Sequence, residues 1–260
     1  MDGKDARDIR GQMRILVTGH RGFIGSYIYN PSMEGCSRRD GQDYGDICGQ
    51  EFDIVVHLAG SVSVAESVQN PDLYFINNTF KLLRFLRNNK VNRMIYASSG
   101  GAVYGNLIGA REEQACWKNC LSPYAQSKYL GEYVIREMCP NHVILRISNA
   151  FSSDNNPERT IHWHLMNDNP ITVFGNSVRD FILVQDVASA IKRAIVGSMT
   201  GTFNIGSGIG SSILKMANDI AMFRSRITGH QIFVTQKSAT PGAVEFMTLD
   251  ITKAQKAGLL

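Results

Sequence analysis

A short apolar run, Met13-Arg-Ile-Leu-Val-Thr18, breaks at Gly19 and continues as His20-Arg-Gly-Phe-Ile-Gly25; no other stretch constrains the fold of this chain as much. The run has the length of a buried strand, and the spacing over Phe23 to Tyr29 predicts a helix directly after the turn. A strand handing over to a glycine turn and a helix is how a parallel α/β sheet begins. It is also the context of a dinucleotide fingerprint: glycines let the backbone approach a pyrophosphate, which free amides and the helix dipole attract. Gly19, Gly22, Phe23, Ile24 and Gly25 are therefore candidate cofactor-binding residues. A glycine-rich turn that binds nothing is the plainer alternative.

The remainder of the chain repeats the alternation. A second short strand is expected near Met33 to Ser37, a third over Asp53 to Ala59, a fourth over Arg93 to Ser98 and another over His142 to Arg146. The continuous β-branched character of the third suits a strand covered on both faces. Leu73, Ile76, Phe80, Leu83 and Leu86 recur at helical spacing, so Asp72 to Arg87 reads as a crossover helix. Pro123 to Met138 is a second long helix with proline in its first turn. The expected fold class is α/β, a Rossmann-type doubly wound parallel sheet with its ligand at the C-terminal ends of the strands. Residues 1–12 read as a flexible leader, 13–150 as the NAD(P)-binding unit, and 151–260 as a substrate-binding cap with segments returning to the sheet. Within that cap a polar loop is expected over Ser152 to Arg159.

Composition limits what such a chain does. A net charge of +4 comes from Lys and Arg scattered along 260 residues, so no block reads as a nucleic-acid arm. The leader lacks the apolar core of a secretory signal, and no window approaches the ~20 apolar residues of a membrane span. Five cysteines, Cys36, Cys48, Cys116, Cys120 and Cys139, lack paired metal or disulfide spacing and suit a reducing cytoplasm. Cys116 and Cys120 with His162 and His164 read better as packed or exposed loop residues than as a metal site, and Tyr104 and Trp163 as packing residues.

Two stretches carry specific chemistry. An acid at the end of the second strand bonds a ribose hydroxyl, whereas an arginine accommodates an extra phosphate. Here Ser37-Arg38-Arg39-Asp40 supplies two guanidiniums, which favour NADP(H) over NAD(H), while Asp40 keeps NAD open. A solvated surface pair is the plainer reading. Further on, Tyr124-Ala-Gln-Ser-Lys128 puts a phenol and an ammonium on one helix face. The cation favours phenolate, as a general base acting on a sugar hydroxyl requires. The alternative is an exposed helix pair.

With these motifs, together with Asp46-Ile47, His57-Leu58-Ala59-Gly60, Asn77-Asn-Thr79, Ser98-Ser99, Val103-Tyr-Gly105, Leu145-Arg-Ile-Ser-Asn149, Arg179 to Val187 and Phe203 to Gly208, nearly the whole chain resembles the extended short-chain dehydrogenase/reductases. Specifically, it resembles the NAD-dependent epimerase/dehydratase group that acts on sugar nucleotides. The resemblance implies that Asp46 and Ile47 border the adenine, that Leu58, Ala59 and Gly60 border the cofactor, and that Lys128 holds the nicotinamide ribose. It implies that Asn149 and Arg179 face the sugar nucleotide, with Arg179 on a diphosphate, although Asp180 could instead tie that arginine up. The group's hydroxyl residue beside the tyrosine falls on Ser99 when counted along the strand, with Ser98 as backup, and on Gly100 when counted back from Tyr104. Gly101-Ala102 stands where dehydratases of the group carry Asp-Glu, which disfavours a 4,6-dehydratase. The expectation is an NAD(P)-dependent epimerase or 4-ketoreductase, a homodimer through its two long helices, with Tyr124, Lys128 and Ser99 catalytic. A cofactor-binding sensor or scaffold without turnover is the rival, favoured by Gly100, the short stretch between Gly25 and Asp53 and the ending at Leu260.

Overall fold

Val17, Ile54, Val56, Ile95, Val143 and Leu145 point to one face of the main sheet, and Leu16, Phe52, Val55, Met94, Tyr96 and Ile144 to the other, all buried. Strands apolar on both faces require cover on both sides, and helices supply it. The computed structural model of the protein describes residues 13–152, 156–158, 160–239 and 243–260. The expected leader, residues 1–12, and residues 153–155 and 159 of the expected polar loop lie outside the described residues.

In chain order the first half contains β1 (Ile15–Thr18), β2 (Glu34–Cys36), β3 (Glu51–His57), α1 (Val64–Gln69), α2 (Pro71–Phe75), α3 (Lys81–Asn88), β4 (Lys90–Ser99), α4 (Gly100–Val103), β5 (Leu107–Ala110), α5 (Pro123–Met138) and β6 (His142–Ile147). Then come β7 (Asn149–Phe151), α6 (Ile161–Asn167), β8 (Ile171–Phe174), β9 (Val178–Leu183), α7 (Val184–Val196), β10 (Gly201–Ile205), β11 (Gly210–Ser212), α8 (Ile213–Thr228), β12 (Val234–Lys237), β13 (Phe246–Leu249) and α9 (Thr252–Lys256). Six parallel strands run in the order β10-β6-β4-β3-β1-β2. The chain leaves β1 toward β2, then crosses back to β3 on the other side of β1. Thr18 and His57 are therefore paired at the C-terminal lip of this reversal, the place where an open α/β sheet leaves a crevice.

Two expected helices differ in detail. The helix expected over Phe23–Tyr29 is a single 3-10 turn, Gly25–Tyr27. Pro31 cannot continue it, and the chain runs directly into β2. The crossover helix expected over Asp72–Arg87 runs from Pro71 to Asn88 but is widened to a π-turn over Ile76–Phe80. That turn is held from outside. The Asn78 side chain donates to the Ser61 carbonyl and the Ser127 hydroxyl, both at 2.9 Å, and accepts from the Ser61 amide at 2.8 Å.

Beside the main sheet, β11-β9-β13-β5 form a second sheet, with β7 pairing β9, and β8 pairs β12. Leu165, Ile171, Val173, Ile213, Ala217 and Ala221 give this region its own apolar cluster. Among the described residues no helix is long and apolar enough to cross a membrane.

Candidate active site

A cavity of about 360 Å³ opens over the β1–β3 crevice. The glycine-turn candidates Gly19, Gly22, Phe23, Ile24 and Gly25 line it, as do Arg38, Arg39, Leu58, Ala59 and Gly60. Gly19 holds φ at 71°, and a Cβ there would lie 2.9 Å from the Ala59 nitrogen; at Gly25 a Cβ would lie 2.7 Å from the His20 Cα. Only hydrogen fits at either position, so the turn can fold this tightly only as glycine. Among the described residues no acceptor takes the amides of Phe23 and Ile24, which are left for a ligand. Such a glycine cradle with free amides fits the pyrophosphate of a dinucleotide, even with one helical turn in place of a long helix.

The second-strand region is basic. Asp40 accepts from Arg21 Nε at 2.5 Å and lies 3.3 Å from His20 Nε2, and it is not part of the cavity wall. Arg39 donates to the Arg21 carbonyl at 2.9 Å, while Lys81, which the sequence did not suggest, lines the cavity in an ion pair with Asp43. Burial raises the Asp43 pKa, but its bonds to Lys81 and Gly45 outweigh this and hold it below the ordinary range. Asp46 and Ile47 do not reach the wall. Asp46 is exposed, 4.0 Å from Arg84, and Asp43 and Tyr44 of the preceding turn stand at the cavity instead.

α5 starts where the sequence predicts, with Pro123 in its first turn and the Ser122 hydroxyl accepting from the Ala125 amide at 3.2 Å. Tyr124 and Lys128 are both buried, Lys128 against β4 and Tyr124 against α2. Lys128 Nζ donates to the Ala97 carbonyl at 2.6 Å and sits 4.3 Å from the centre of the Tyr96 ring; Ala97 itself lines the dinucleotide cavity. Burial pushes the Lys128 pKa down to about 7, against an opposing pull from Glu132. The Tyr124 ring packs edge-on against Tyr74 at 6.2 Å. The Tyr74 hydroxyl accepts from the Ser63 amide at 3.0 Å and donates to Glu66 at 2.8 Å.

Three adjacent residues compete for the hydroxyl position at the end of β4, and geometry separates them. Ser98 donates to the buried Glu132 at 2.6 Å. A side chain at Gly100 would strike Leu249 at 3.0 Å, and neither residue lines the cofactor cavity. Ser99 alone keeps its hydroxyl uncommitted among the described residues.

Behind the pair, Arg146 grips Glu132 through Nε at 2.9 Å and a terminal nitrogen at 2.7 Å, and also reaches the Tyr104 hydroxyl at 2.8 Å. Tyr104 donates to Asn204 at 2.6 Å. The Leu145-Arg146 and Val103-Tyr104 motifs are therefore one buried scaffold joining β4, α5, β6 and β10.

A second cavity, of about 560 Å³, is lined by Arg179, His164, Asp168, Ser177 and Val244. Asp180 does not tie Arg179 up. It accepts from the Ser207 amide at 2.8 Å and the Gly208 amide at 3.0 Å, while Arg179 donates to the carbonyls of Val178 and Val244. Burial lowers the Arg179 pKa to about 10, which leaves it charged at neutral pH. Asn149 lines a third compartment of about 400 Å³. That compartment shares Val62 and Thr160 with the dinucleotide cavity and Ile161 with the Arg179 cavity, so it lies between the two with these residues as common walls.

A dinucleotide-shaped cradle at the switch point, with a buried Tyr-x-x-x-Lys pair on the adjoining helix, defines an extended short-chain dehydrogenase/reductase. More narrowly, the chain belongs to the NAD dependent epimerase/dehydratase family, whose model matches residues 15–206. It is 32% identical, over 94% of this chain and 92% of the relative, to a putative UDP-glucose 4-epimerase of Methanocaldococcus jannaschii. It is similar in structure to the UDP-glucose 4-epimerase of Thermus thermophilus in complex with NAD, with a TM-score of 0.78 and 25% identity over 95% of this chain and 94% of that one. It is equally similar to a Tyr-to-Phe variant of the UDP-glucuronic acid 4-epimerase of Bacillus cereus, solved with a 4-fluoro substrate analogue and NAD, with a TM-score of 0.78 and 25% identity over 94% and 92%.

Proposed function

We propose that the protein is a nicotinamide-dependent 4-epimerase of a sugar nucleotide, with Tyr124 as its acid and base. The observation that carries this reading is the adjacency of three compartments: a glycine cradle, a middle compartment whose Ser63 is bonded to Tyr74, the ring against which Tyr124 packs, and a cavity with the partly buried Arg179 guanidinium. A fork of N–H donors matches phosphate oxygens, so Arg179 suits the diphosphate of the substrate. The sugar then falls in the middle, between that anchor and the cofactor.

Tyr124 accepts the proton of the C4 hydroxyl. Lys128, in its ammonium form one helical turn away, stabilises the phenolate. Ser99 donates to the same sugar oxygen and fixes its position, so much of the rate comes from orientation. A nicotinamide dinucleotide held by the glycine cradle and Lys128 would supply reversible hydride exchange with C4. After the sugar turns over, Tyr124 returns the proton to the oxygen on the opposite face.

Arg38, Arg39 and Lys81 at the cofactor cavity, with Asp40 engaged elsewhere, favour NADP(H) over NAD(H). Exposed Leu73, Ile76 and Phe80 on the crossover helix and Tyr133 on α5 support a homodimer through these helices. Incubation with UDP-glucose and catalytic oxidised cofactor tests the activity. An epimerase yields the C4-inverted sugar with no net change in nicotinamide absorbance. A 4-ketoreductase would show no conversion until a keto sugar and stoichiometric reduced cofactor are supplied.

A further inference from the structure

The middle compartment has a chemistry of its own. Its walls are Val62, Val64, Phe151, Ile161 and Phe181, and its polar groups are Ser63, Asn149, Thr160 and His162. None of these lining residues, among the described ones, carries a fixed charge. The protonation of His162 is set by geometry. The Asn156 side chain accepts from the Ser152 amide at 2.7 Å and donates to the Ser152 carbonyl at 2.5 Å, which fixes which end of the amide is NH₂. The same NH₂ lies 3.1 Å from His162 Nδ1. A donor facing Nδ1 requires a lone pair there, so the ring is the neutral tautomer with its proton on Nε2. Burial acts in the same direction on this imidazole, and its stacking on Phe151 at 5.1 Å holds the ring plane.

The other polar groups are also uncharged and partly committed. Asn149 spends its NH₂ on the Asp180 carbonyl at 3.0 Å, leaving its oxygen as an acceptor. The Ser63 oxygen accepts from the Glu66 amide at 3.2 Å, leaving its proton to donate. Two neutral donors, one neutral acceptor and aromatic walls complement hydroxyls and the C–H face of a pyranose. They can hydrogen-bond a carboxylate but, among the described lining residues, bring it no counter-charge, and burial of a charge without one is costly.

We infer that the middle compartment accepts an uncharged hexosyl unit, and that His162, locked by Asn156 as a neutral donor, is a specificity-determining residue that turns away hexuronic acids. This rests on the sugar-nucleotide reading above. Equilibrium titration of the cofactor-loaded full chain with UDP, UDP-glucose and UDP-glucuronate separates the two claims. UDP-glucuronate should bind at least about 30-fold more weakly than UDP-glucose, as expected for a buried charge without a partner. Binding of both sugars within threefold of each other, with UDP also bound, overturns the inference alone. Failure of UDP itself to bind sinks the sugar-nucleotide reading and the inference with it. Val62→Arg adds a guanidinium at a half-exposed wall position that unfolding does not confound, and it should narrow the gap about tenfold. An unchanged gap in a folded Val62→Arg protein also counts against the inference.

Discussion

Lys128 is held in a setting that disfavours its own charge. Its folded pKa of about 7 lies below the ordinary ~10.4 of a lysine in an unfolded chain. Between those values the unfolded chain holds a proton that the folded one has lost, so stability rises with pH across this window. Denaturant midpoints of the cofactor-free protein should climb from about pH 7 toward pH 10, and Lys128→Met should flatten that climb; an identical profile in the variant contradicts the burial argument. Tyr124 makes a different demand. Tyr124→Phe should lower kcat by about 10²- to 10⁴-fold while leaving the melting temperature and cofactor binding near wild type. Loss of cofactor binding in that variant would mean the phenol shapes the cavity rather than moves a proton.

Among the elements, α5 lies close against β4 because Gly131 has no side chain: a Cβ there would run into the buried Tyr96 hydroxyl, with the Asn78 carbonyl oxygen only 3.1 Å away. Alanine is worth ~1 kcal/mol over glycine in a helix, but overpacking a rigid core costs about 1–3 kcal/mol, so Gly131→Ala should be net destabilising in urea titrations. Among the described residues the buried Tyr96 hydroxyl has no hydrogen-bond partner, so adding Tyr96→Phe should restore much of that loss, and additive effects would refute the contact. The long elements were legible in the sequence because their period is unambiguous: α5 begins and ends at the residues expected, and β3, β4 and β6 deviate only at their ends. The failures have local causes. Pro31 cut the helix after the glycine turn to one turn. Asn78, clamped between Ser61 and Ser127, widened the crossover helix by tertiary bonds that periodicity does not register. At the site, the glycine turn, Arg38, Arg39 and Leu58–Gly60 were readable because backbone proximity follows from sequence order. Lys81, Asp43 and Tyr44 were not, since they reach the cavity from another helix and from an irregular turn. Strands β5, β8, β12 and β13 are four residues each, too short for alternation to separate them from loop.

At the scale of the whole chain, the Glu132–Arg146 pair is buried and ties three strands of the main sheet, β4, β6 and β10, to α5. Burial pushes the Glu132 pKa up, but the bonds and charge of Arg146 prevail and keep it below the ordinary carboxylate range. Arg146→Met should destabilise by about 1–3 kcal/mol, because Arg136 and Ser98, each at 2.6 Å, still hold the Glu132 carboxylate, whereas removing Arg146 and Arg136 together should cost more. If the exposed apolar face of the crossover helix is the dimer surface, Phe80→Glu should convert the protein to monomers in light scattering; a monomeric wild type would remove that assignment. The central claim is that one phenol and one bound nicotinamide invert a sugar carbon by taking a hydride and handing the same one back. Its most direct test is proton and deuterium NMR of UDP-glucose deuterated at C4, incubated with the cofactor-loaded protein. The account predicts a C4-inverted product that retains the deuterium at C4, at full occupancy and without net cofactor reduction. An inverted product with the label lost to water, or no inversion by a folded protein with its cofactor bound, contradicts it.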